Sequence, residues 1–123
     1  MALRIAIKRA YEPAAKSDGR RILIDRLWPR GVKREFAGID EWLKDVAPST
    51  ALRRWFAHDP ARWKEFIRRY RKELASPAAE AAMERLRKLA SDRKVTLVYA
   101  AADSAHNNAV ALRTILGART ART

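Results

Sequence analysis

Two short, continuous runs rich in apolar and β-branched residues constrain the fold of this chain more than any other feature. Ile22, Leu23 and Ile24 follow one another within RRILIDRL (20–27), and Val95 opens the run VTLVYAAA that ends at Ala102. A strand with one wet face alternates apolar and polar side chains. A strand that is apolar at successive positions needs cover on both faces, as in a parallel sheet. A third run, LRIAIKR (3–9), alternates Leu3, Ile5 and Ile7 with Arg4, Ala6 and Lys8, the period of two that marks a strand. Pro29 and Gly31 end the second strand, and the small side chains closing the third leave room at its tip.

The long connection between the second and third strands has helical spacing. Ile39, Trp42, Leu43 and Val46 stand at i, i+3, i+4 and i+7 and predict a helix. Ser49 or Thr50 caps a short helix with Leu52, Trp55 and Phe56. Asp59 followed by Pro60 starts the strongest helix of the chain, with Trp63, Phe66, Ile67, Tyr70 and Leu74 on one face. Ser76 and Pro77 repeat that start for a helix bearing Met83, Leu86 and Leu89. Asp103 or Ser104 caps a last helix with Ala109, Leu112, Ile115 and Leu116 inward and Gly117 just past its end. Strands mixed with long helical connections give an α/β class: a small, mostly parallel sheet flanked by helices in a layered sandwich. The ten residues after the first strand also allow a wide antiparallel hairpin, so its direction stays open. At 123 residues the chain suits one domain, expected over 1–117, with 118–123 a basic tail that frays.

No Cys is present, which excludes disulfides, thiolate metal sites and thiol nucleophiles. No stretch approaches the roughly 20 apolar residues of a membrane span, and the start MALRIAIKRAY is too basic for a signal peptide. The expectation is a cytoplasmic protein, monomeric or a small homo-oligomer, with no membrane partner. A net charge of +13 favours anionic partners, either a small anionic ligand or nucleic acid. The same excess also suits a merely solvated Arg-rich surface. No phosphate-binding loop or dinucleotide glycine fingerprint occurs, so no cofactor is expected, and two His without Cys make a poor metal site.

Two segments carry chemistry. Asp25, Arg26, Leu27, Trp28, Pro29, Arg30 and Gly31 follow the second strand, where ligands of open α/β sheets bind. Arg26 and Arg30 offer planar forks for phosphate or carboxylate, Asp25 an acceptor, and Trp28 a stacking surface. An Asp25–Arg ion pair beside a core Trp28 reads the same residues structurally. Asp103, Ser104, Ala105, His106, Asn107 and Asn108 form the second segment, between the third strand and the last helix. Helix starts favour anions, and two adjacent Asn there suggest that their hydrogen-bonding capacity is used. The structural alternative has Asp103 capping and His106 packed over the sheet edge. Parallel strands deliver their carboxyl ends to one rim, so Asp25, Arg26, Arg30, His106 and Asn107 are expected to share a crevice. His106 is then the general acid or base, oriented by Asp25, and Lys8 and Arg9 add charge from the first strand. Trp28, Asn107, Asn108 and Lys8 complete the expected ligand contacts. On the helix after Pro60, Arg62, Lys64, Arg68, Arg69, Arg71 and Lys72 form a basic stripe able to follow phosphates, the basis of a nucleic-acid-binding or regulatory alternative.

Five segments, IKRAYEP (7–13), DGRRILIDRLWPRG (18–31), IDEWLKDVAPS (39–49), LRRWFAHDPARWKEF (52–66) and VTLVYAAADSAHNNAVAL (95–112), resemble in order the domain of unknown function 488 family, in its YeaO-like branch. The resemblance covers nearly the whole chain. It implies a small α/β sandwich and points to the same two places, Asp25 to Gly31 and His106 with its Asn neighbours. The wider family is similar but carries a Cys and a Glu at the end of the last strand and Cys-His-Arg at the next helix. Here the first place holds Tyr99 and Ala101 and the second Ala105, His106 and Asn107, so a thiol mechanism does not carry over. His106 is the polar feature that survives. The reading that results is binding of a small anionic or nucleotide-like ligand, with hydrolytic or transfer chemistry through His106.

Overall fold

A computed structural model of the chain describes residues 3–117 and 119–120. Among the described residues five strands form one sheet: β1 (Arg4–Arg9), β2 (Arg20–Leu23), β3 (Glu41–Trp42), β4 (Val95–Tyr99) and β5 (Arg119–Thr120), in the order β3-β2-β4-β1-β5. Every pairing is parallel. This settles the direction of the first strand: β4 inserts between β1 and β2, with Ile7 beside Leu97 and Leu97 beside Ile22. The hairpin alternative is excluded because β1 and β2 are not neighbours. The protein is thus a single α/β layered domain.

Five α-helices among the described residues accompany the sheet: α1 (Arg34–Ala37), α2 (Thr50–Phe56), α3 (Trp63–Glu73), α4 (Pro77–Asp92) and α5 (Asn108–Leu116). The main core joins Ile5, Ile22, Ile24, Val95, Leu97 and Tyr99 of the sheet to Leu52, Phe56, Phe66, Tyr70, Met83, Leu86 and Leu112 of the helices. Burying each large side chain of that set contributes about 1.5–3 kcal/mol. The buried Tyr70 hydroxyl donates to the Val46 carbonyl, so its one polar group is satisfied within the core.

The other face of the sheet is covered mainly by the connections 10–19 and 28–39. Alternation puts Lys8 of β1 and Arg21 of β2 on that face, and both meet the buried carboxylate of Asp18, at 3.1 Å and 2.7 Å. Asp18 also accepts the Ala15 N–H at 2.9 Å, and its carbonyl accepts the Thr96 hydroxyl at 2.7 Å. This network fixes the first loop against the sheet. Gly19 follows at φ 65°, where an added Cβ would lie 2.2 Å from the Lys94 carbonyl oxygen, so only glycine fits the entry to β2.

Two predicted helices are corrected. The spacing of Ile39, Trp42, Leu43 and Val46 does not produce a helix. Asp40 exchanges hydrogen bonds with the Arg21 backbone, through its carboxylate at 2.8 Å and its N–H at 2.9 Å, and Leu43 N–H donates to the Leu23 carbonyl. The segment therefore becomes the edge strand β3 and a single 3-10 turn, Lys44–Val46. An unpaired strand edge offers hydrogen bonds that local periodicity does not reveal. The last helix starts at Asn108 and is capped by Asn107, whose Oδ1 accepts the Val110 N–H at 2.9 Å. Asp103 caps a separate turn, accepting from the Ala105 and His106 N–H groups. His106 consequently precedes the helix rather than sitting in its first turn. In the segment expected to fray, Arg119 and Thr120 pair with Arg4 and Ile5, and 118 and 121–123 lie outside the described residues. Among the described residues no helix is long and apolar enough to cross a membrane.

Candidate functional site

Parallel strands send the continuations of β1, β2 and β4 to one rim, and a cleft of about 780 Å³ opens there. Tyr11 follows β1, residues 25–30 follow β2, Ala100, Ala101 and residues 106–108 follow β4, and α2 with its flanks closes the cleft. The tryptophan-containing loop and the start of the last helix therefore meet. Buried Phe56, Phe66, Ala47 and Asn107 form the inner surface, while exposed Leu27, Arg30, Arg53, Arg54 and His58 form the outer one.

Asp25 is the hinge of the arrangement. One carboxylate oxygen accepts the Ala100 N–H at 2.9 Å, the other the Asn108 side-chain amide at 2.9 Å, and the Asp25 carbonyl accepts the Trp42 indole N–H at 2.7 Å. Burial pushes the Asp25 carboxyl above its ordinary value, against the opposing pull of Asn108, the Ala100 N–H and Arg53. Asn108 also donates to the Ile24 carbonyl at 3.2 Å, which ties the first residue of α5 to the end of β2. Asn107 donates to the Asp103 carbonyl while it caps α5, so both of its polar atoms are spent on the chain's own geometry.

His106 is not paired with Asp25. Its Nδ1 lies 3.2 Å from the Asp103 carboxylate, and its ring packs edge-on against Trp63 at 5.2 Å. The other Asp103 oxygen takes both the Ala105 and His106 N–H groups, which hold that carboxyl below its ordinary value. The orienting carboxylate thus comes from the histidine's own turn, because the helix start brings Asn108, two residues on, over the strand end.

Trp28 is fixed by the protein itself. Its indole N–H donates to the Val32 carbonyl at 2.6 Å, its ring meets Trp42 edge-on at 5.5 Å, and the Arg34 guanidinium lies 4.6 Å from its centroid. It shapes the wall of the cleft as a rigid surface. Arg26 is half-buried and gives one N–H to the Ala47 carbonyl at 3.2 Å. None of the ion pairs among the described residues involves Arg26, Arg30, Arg53 or Arg54, although Arg62, Arg68, Arg69, Arg85 and Arg87 elsewhere all have acidic partners. Four guanidiniums without a direct counter-charge therefore line one cleft. No group of three or more His, Cys, Asp or Glu side chains that could hold a metal occurs among the described residues.

Residues 4–123 match the family model described as "Inactive DUF488-N3 subclade". The chain belongs to this subclade. It is 42% identical to the "Uncharacterized protein YeaO" of Escherichia coli over 110 residues, covering 89% of this chain and 94% of that protein. It is 40% identical over 116 residues to uncharacterized proteins of Mycobacterium tuberculosis and Mycobacterium bovis, covering 94% of this chain and 96% of each. No solved structure matches it.

In this member of the DUF488-N3 subclade, Lys8 stands apart from the other candidate contacts. It points to Asp18 on the loop-covered face and does not line the cleft, because the period of two along β1 assigns it to that face. Arg9 reaches the strand ends instead, donating to the Ala100 and Ala101 carbonyls at 3.2 Å and 2.9 Å. Arg53 and Arg54 of α2 were not anticipated. Their sequence signal is only that of a polar helix face. His58 also lines the cleft, where Ala57 and His58 both adopt left-handed backbone, at φ 48° and 57°.

Proposed function

We propose that this protein binds a small anionic, nucleotide-like ligand in the cleft at the carboxyl ends of the strands. The observation that carries this reading is the set of guanidiniums outside any ion pair: Arg26, Arg30, Arg53 and Arg54 line a water-accessible cleft that holds a single carboxylate, Asp25, which is engaged by Ala100 and Asn108 and attracted by Arg53 alone of the four. Uncompensated like charges repel, and a ligand anion relieves that repulsion while accepting charge-assisted hydrogen bonds. The apolar inner surface suits the non-ionic part of such a ligand, and the volume falls within the usual range for small-molecule sites.

In this reading Arg30 and Arg26 clamp the anion and His106 contributes a ring N–H or acceptor. Trp28 sets the wall, and Asp25, Asn107 and Asn108 hold the segments in register. The family's description as inactive, and the absence of an Asp25–His106 pair, support binding rather than hydrolysis or transfer. The basic stripe of α3 supports nucleic-acid binding less well, since Arg68 and Arg69 share Glu65 and Arg69 lies over the Trp55 ring at 3.9 Å.

Calorimetric titration with adenosine 5′-monophosphate tests the proposal. Saturable 1:1 binding is expected, weakening as salt rises. Arg30→Ala and His106→Ala should each lower affinity by about tenfold or more, equivalent to ~1.4 kcal/mol, and leave the melting temperature within about 2 °C. Absence of binding to the native chain, or unchanged affinity in both variants, overturns the assignment.

A further inference from the structure

We infer that the cleft takes a ligand bearing two phosphate groups, and that Arg53, Arg54 and His58 form a second phosphate subsite beside that of Arg26, Arg30 and His106. The inference rests on the proposed anion-binding reading and narrows its ligand class. Three observations support it. The first is charge: four guanidiniums line the cleft, and Asp25 is held by burial in an environment that disfavours its charged form. A phosphomonoester carries about −1.5 to −2 at neutral pH, so one phosphate leaves roughly half of the arginine charge unmatched and two match it.

The second is the placement of the imidazoles. The chain has 2 His, and both line this cleft although they come from segments 48 positions apart. His106 leans on Trp63 and His58 lies 6.4 Å from Phe56, while Phe56 and Trp63 are themselves 5.9 Å apart. One aromatic cluster thus supports both imidazoles.

The third is the backbone that delivers His58. Ala57 and His58 are the two non-glycine residues with positive φ among the described residues, and they are consecutive. Left-handed backbone is disfavoured for a residue with a Cβ. The turn is held from both sides, by Ala57 N–H on the Arg53 carbonyl at 3.0 Å and Asp59 N–H on the Phe56 carbonyl at 2.9 Å. Its result is that His58 joins Arg53 and Arg54 at the cleft. Ala57 is the left-handed cap that closes α2, as at many helix ends, and His58 extends that backbone by one further residue.

Parallel titrations with adenosine 3′,5′-bisphosphate and adenosine 5′-monophosphate test the inference. The bisphosphate should bind the native chain about tenfold tighter or better, as one added set of charge-assisted contacts predicts. Arg54→Ala and His58→Asn, the latter chosen because Asn tolerates left-handed backbone, should bring the bisphosphate down to the affinity of the monophosphate. The monophosphate keeps the Arg26–Arg30–His106 subsite and should weaken by a clearly smaller factor than the bisphosphate in both variants. Equal affinities of the two probes for the native chain, or equal weakening of both in the variants, overturn the second subsite and leave the anion-binding reading standing. Failure of both probes to bind overturns the two together.

Discussion

Asp18 and Asp25 are two aspartates placed in opposite electrostatic surroundings. Burial alone would raise the Asp18 carboxyl, but the Ala15 N–H and the Lys8 and Arg21 cations outweigh it and hold that carboxyl below its ordinary value. Its folded value being depressed, Asp18 contributes stability that is complete above the ordinary carboxylate value and lost as pH falls through the lower folded one. Asp25 works the other way. Its folded value is raised, chiefly by burial, so the folded state holds that proton more tightly and stability declines as pH rises through the raised value. Asp18→Asn, which leaves Lys8 and Arg21 facing a neutral group, should cost about 3–5 kcal/mol in denaturant unfolding at neutral pH. Its stability should also fall less steeply than that of the native chain below about pH 4. An unchanged unfolding midpoint would show that the loop over this face is held by something else.

Among the elements, α2 decides how the cleft is finished. Ser49 caps it, accepting the Leu52 N–H at 3.0 Å, and is held in turn by Glu73 of α3 through its own N–H at 2.8 Å and its hydroxyl. Ser49→Ala removes both contacts of the hydroxyl and should cost about 1 kcal/mol, seen as a lower denaturation midpoint. Because Arg53 and Arg54 ride on this helix, affinity for adenosine 3′,5′-bisphosphate should fall with it. Native stability in that variant would separate the cap from the helix's placement. The start signals at Ser49, Asp59–Pro60 and Ser76–Pro77 were legible in the sequence because capping chemistry is local, and each begins an element where expected. The Ile39–Val46 segment was misread because its partner is β2, remote in sequence, and the helical spacing of four apolar residues says nothing of an open strand edge. The last helix start was misread by several residues because Asp103, Ser104 and Asn107 are all competent caps. Only the fit of Asn108 onto Ile24 and Asp25 selects among them. Arg53 and Arg54 were invisible as site residues for a similar reason, since packing of α2 beside α3, rather than anything in LRRWF, turns them to the cleft.

At the scale of the molecule, topology does most of the work. Placing β4 between β1 and β2 in parallel brings Tyr11, Asp25–Arg30 and Ala100–Asn108 to one rim, and it does so whatever side chains those segments carry. The continuous apolar runs of β2 and β4 made this arrangement readable, because only a doubly covered parallel sheet uses them. The net charge of +13 adds a long-range field that attracts anions, and the cleft lining sets four arginines against one carboxylate. Amide chemical shifts followed by nuclear magnetic resonance during titration with adenosine 3′,5′-bisphosphate test the whole account most directly. It predicts saturating shifts that cluster in three sequence-distant segments together, Asp25–Arg30, Arg53–His58 and His106–Asn108. Shifts confined to the Arg68–Lys72 face of α3, or no saturating shifts at all, would contradict it.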